Sequence, residues 1–95
     1  MADEGQPLDV YSDQFTVTVG PYGISLTFSL TQPHPAPGQP PQRRDLVTVR
    51  MSLEHAKVMA MIVRRQLKNY ERENSVEIPI PYSLYQQLNL AAEDW

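Results

Sequence analysis

A chain of 95 residues with nine prolines and no cysteine reads as one small, lean domain. The composition excludes a disulfide framework, leaves too few candidate ligands for a structural metal, and holds no apolar run long enough to span a bilayer. Its net charge of −3 is unevenly spread: residues 1–42 hold four acids and no Lys or Arg, residues 43–72 hold all eight bases against Asp45, Glu54 and Glu71, and residues 73–95 hold four more acids. A basic middle between acidic ends suits a polyanion, and it equally suits subunits that neutralise one another; the acidic overall balance weighs against a dedicated polyanion binder.

Residues 1–9 are polar, acidic and broken by Gly5 and Pro7, and are expected to be disordered. A first strand is predicted over 14–19, with Phe15, Val17 and Val19 alternating against Gln14, Thr16 and Thr18. Gly20-Pro21-Tyr22-Gly23 supplies the turn, with Pro21 presetting φ. The second strand, 24–30, sets Ile24, Leu26, Phe28 and Leu30 against Ser25, Thr27 and Ser29, the alternation of an antiparallel sheet with one covered face. Residues 32–45 carry five prolines and read as a mobile loop; Pro37-Gly38-Gln39-Pro40 matches a polyproline docking pattern in form, but reads more simply as a spacer.

The third strand, 46–51, runs into a helix predicted over 53–73, with Ser52 in the position of an N-cap. Leu53, Ala56, Met59, Ala60, Val63, Leu67 and Tyr70 form one stripe of that helix, and Val58 and Ile62 widen it in the first half only. The extra width marks Val58, Met61 and Ile62 as a candidate oligomer interface; the alternative is that the C-terminal tail folds back over it. Lys57, Arg64, Arg65, Lys68 and Arg72 form a basic face that could track phosphates, although no aromatic stands on that face with them, Tyr70 belonging to the apolar stripe. Beyond Asn74, Val76–Pro81 is extended because two prolines sit in it, residues 82–88 can form a short helix, and Trp95 is a candidate anchor.

The expected fold class is therefore α+β. A three-stranded antiparallel sheet is covered on one face by a long helix across residues 10–74, followed by an extended tail with a short helix across 75–95. No catalytic constellation, metal site or cofactor motif is visible: His34 has no partner in sequence, and His55 beside Glu54 lacks the further ligands or the nucleophile that chemistry would need.

One pattern has a resemblance. Val49-Arg50-Met51-Ser52, followed by His55-Ala56-Lys57, resembles the V-R-Φ-S-x-x-H-A-K junction (Φ apolar) of a family of short prokaryotic proteins known as a domain of unknown function. Pro21, Tyr22, Leu26 and Phe28 in the hairpin, and Leu67, Tyr70 and Glu71 late in the helix, match as well, so the likeness covers residues 11–74. The resemblance implies the strand–strand–strand–helix core and no activity. The sequence reads best as a non-enzymatic cytoplasmic module that associates with itself or another protein, without cofactor or membrane. A holdase-like binder of apolar segments and a nucleic-acid binder working through the basic face remain as alternatives.

Overall fold

The computed structural model describes residues 5–32, 37–40 and 42–95. Alternation on the first three elements resolves into an antiparallel sheet in the order β1-β2-β3, with β1 at Gln14–Gly20, β2 at Gly23–Thr31 and β3 at Arg43–Met51. The register aligns the apolar positions into three rows, Phe15–Phe28–Val47, Val17–Leu26–Val49 and Val19–Ile24–Met51. The other face carries Thr16–Thr27–Thr48 and Thr18–Ser25–Arg50, and the Thr27 and Thr48 hydroxyls are hydrogen-bonded at 2.9 Å. Period-2 patterning on all three strands thus produces one apolar face and one polar face.

The β1–β2 turn depends on Gly23. Its φ is +151°, and a Cβ built there would lie 2.8 Å from the Met51 carbonyl oxygen. Backbone, not a flexible side chain, is the obstacle, so Gly23→Ala is expected to destabilise the sheet by about 1–3 kcal/mol. The check is the urea unfolding midpoint; a midpoint unchanged within error contradicts this packing of turn against β3.

β3 starts three residues earlier than its alternation predicts. A bulge opposite Phe28 and Ser29 leaves Leu46 unpaired, and pairing then resumes with Ser29–Asp45, Leu30–Arg44 and Thr31–Arg43. The Ser29 hydroxyl donates to Asp45 Oδ1 at 2.8 Å, and Arg43 Nε approaches the same oxygen at 3.2 Å. The Gln32 amide donates to the Gln42 carbonyl at 2.9 Å, which shortens the Pro-rich connection relative to the expected 32–45. Residues 33–36 and 41 of that connection, and residues 1–4 of the N-terminal stretch expected to be disordered, lie outside the described residues. Residues 5–9 carry no strand or helix.

Helix α1 spans Leu53–Glu73, as its periodicity predicts. Ser52 caps its start: the Oγ accepts the His55 amide at 3.1 Å and the carbonyl accepts the Ala56 amide at 3.0 Å. At the other end Val76 N–H bonds to the Glu71 carbonyl and Ser75 N–H to the Arg72 carbonyl, the paired bonds of a Schellman stop. Ser75 takes the left-handed conformation, φ +52°, where glycine is ordinarily found. Ser75→Gly is therefore expected to stabilise by about 0.5–1 kcal/mol, since relief of the left-handed strain outweighs the added entropy of the unfolded chain. A raised thermal midpoint confirms it; a lowered one contradicts it. After the extended prolines come α2, Tyr82–Leu88, and a 3-10 turn at Ala92–Asp94.

The chain divides into two compact units, Met1–Met59 and Ala60–Trp95. The division falls inside α1 and groups its second half with the tail. Among the described residues Ser29 alone is fully buried, at 0% exposure, and no hydrophobic side chain is. On the apolar face of the sheet, Phe15, Val17, Val19 and Val49 are exposed in the single chain. Nine apolar side chains on three short strands present more area than neighbouring strands can shield from water.

Candidate interaction surfaces

Val58, Met61 and Ile62 lie at i, i+3 and i+4 on α1, which places their side chains side by side. They are 50%, 64% and 43% exposed, so the patch that widens the helical stripe is open to solvent in the single chain. The tail is tied to the helix at Arg64, Lys68 and Glu71. Leu84 and Leu88 of the tail are themselves exposed.

Glu71 organises that attachment. One carboxylate oxygen accepts the Ile78 amide at 2.8 Å and the other accepts the Trp95 indole N–H at 3.2 Å. Arg64 Nε donates to the Trp95 carbonyl at 2.6 Å, and the cationic groups of Arg64 and Lys68 stand 5.7 and 5.4 Å from the Trp95 ring centroid. A partly open hollow of about 150 Å³ is lined by Leu67, Ile78, Ile80, Tyr85 and Trp95 together with Glu71 and Glu77. The turn that delivers Trp95 is closed by Asp94, whose carboxylate accepts the Ala91 amide at 2.8 Å. The terminal anchor expected of Trp95 therefore has a specific seat, made of cations above the ring and an acceptor for its N–H.

The basic face is partly spoken for by the same arrangement. Arg64, Arg65, Lys68 and Arg72, with Met61 and Asn69, line a groove of about 420 Å³. Arg72 donates to the Asn69 side-chain oxygen at 2.7 Å, while Lys57 is exposed and outside the groove. The aromatic that meets the basic face is Trp95, brought to Arg64 across 31 positions. Only its pairing with the neighbouring acids hinted at a docked end.

The remaining motif residues hold local structure. Ser52 is the helix cap, His55 supplies the capped amide and is exposed, and the Tyr70 carbonyl accepts both the backbone and side-chain N–H of Asn74. Arg50 pairs with Ser25 beside an open hollow of about 560 Å³ at the hairpin end, where Tyr22 is exposed. Asp13, not singled out in the sequence, holds the end of β2 by accepting the Thr31 amide at 3.0 Å and its hydroxyl at 3.3 Å. Among the described residues no group of three acidic or histidine side chains could hold a metal ion, and no helix is long and apolar enough to cross a membrane. Comparison with family models, with curated proteins and with solved structures gave no match.

Proposed function

We propose that the protein is a small non-enzymatic module of the cytoplasm that works by associating with itself and presenting an assembled surface to other proteins. The observation that carries this reading is the open apolar patch at Val58, Met61 and Ile62 on a helix whose ends are otherwise capped and tethered. Three apolar side chains side by side on one helix face suit a subunit contact. The partitioned charge supports it further, since the acidic N-terminal stretch of one copy offers counter-charge to the basic middle of another. The absence of cysteine agrees with a reducing compartment. Measuring the solution mass across concentration tests the reading.

A holdase-like role is the second reading, favoured by exposed Tyr22 and by apolar side chains open in both units. Binding of an apolar dye separates the two. A scaffold loses dye binding as it assembles, whereas a holdase retains it when fully assembled.

A further inference from the structure

We propose that β1 is a self-pairing edge: two copies join antiparallel along Gln14–Gly20, centred on Val17, to continue one sheet across the contact. This rests on the reading of the protein as a homo-oligomer and names a contact distinct from the helix patch. Among the described residues no strand lies beyond either outer strand of the order β1-β2-β3, and the two edges are built differently. β3 carries Arg43, Arg44, Asp45 and Arg50 and is bent by the bulge at Leu46, the devices that discourage edge pairing. β1 reads QFTVTVG, seven residues with no charge, no proline and no bulge within the strand.

The occupant follows from the same residues. Two β3 edges brought together set arginines against arginines, whereas two β1 edges meet without charge. Antiparallel pairing centred on Val17 sets Phe15 against the partner's Val19 and Thr16 against the partner's Thr18, so both apolar sets stay on one face. The threonine pairing repeats the Thr27–Thr48 hydroxyl contact already present inside the sheet. Phe15, Val17 and Val19 are 63%, 46% and 64% exposed in the single chain.

Backbone direction agrees as well. The two-residue loop between Gly20 and Gly23 makes those residues a hydrogen-bonded pair, so the amides of Gln14, Thr16 and Thr18 face β2 and those of Phe15, Val17 and Val19 face outward. At about 3.4 Å per residue the strand is about 24 Å long. Edge pairing with its flanking side chains covers on the order of 500 Å² per copy, the lower bound of a specific interface.

The test uses the full chain with Val17→Lys and Val17→Glu. Each variant places like charges against each other at the two-fold axis, and is expected to lower the oligomer mass by at least half. Mixing the two variants is expected to restore the wild-type mass, because the lysine then meets a glutamate. Wild-type mass for either variant alone, or no restoration on mixing, overturns the edge contact while leaving self-association intact. A wild-type protein that stays monomeric at high micromolar concentration overturns both. If the variants do not fold, hydrogen exchange on the wild type decides: concentration-dependent protection of the Val17 amide is expected, and free exchange of that amide in the assembled protein overturns the proposal.

Discussion

Ile62→Glu is expected to reduce the wild-type assembly to smaller species at concentrations where the wild type is fully associated. In the single chain Ile62 is 43% exposed on a helical face, so a glutamate there is solvated and α1 persists. In the assembly the same carboxylate is buried without a partner, at a cost of about 3 kcal/mol or more, equivalent to association weakened roughly 100-fold. Far-ultraviolet circular dichroism should be unchanged while the mass falls. Ile62→Glu with wild-type mass places the oligomer contact elsewhere on the molecule.

The second large effect concerns the tail. Glu71→Ala removes the acceptor for both the Ile78 amide and the Trp95 indole, so the two points at which the tail is tied to α1 by a carboxylate are lost together. Hydrogen bonds to a charged group contribute about 1.5–3 kcal/mol each when buried, and the partly exposed setting of Glu71 brings the expected total to about 2 kcal/mol. Trp95 is the sole tryptophan, so its fluorescence reports the docked tail directly. Emission should shift to the red in Glu71→Ala and stay in place in Glu73→Ala, whose side chain is exposed two positions along the same helix. An unshifted spectrum in Glu71→Ala contradicts the seat assigned to Trp95.

Elements whose pattern is local could be read directly from residues. β1, β2, α1 and α2 follow from period 2, period 3.6, the Ser52 cap and the position of Pro81, all of which act within a few residues. The start of β3 could not, because Leu46 breaks the alternation and pairing beyond it depends on Ser29 reaching Asp45 across 16 positions. The Glu71 tether was hidden for the same reason: its partners are 7 and 24 residues away, and nothing in a helical heptad distinguishes a carboxylate that binds a tail from one that faces water. The three-stranded sheet and the long helix were both expected from matched one-sided patterns, and both are present.

The Val58–Met61–Ile62 patch belongs to the local kind. The widened stripe is visible in the residues, and the structure finds those side chains open. What the patch meets is a property of the assembly, which makes mass the decisive quantity. Sedimentation equilibrium of the wild-type chain from low to high micromolar concentration tests the central claim most directly. The account predicts a mass of at least twice 10.8 kDa that falls toward the monomer on dilution. A constant mass of 10.8 kDa across that range contradicts it.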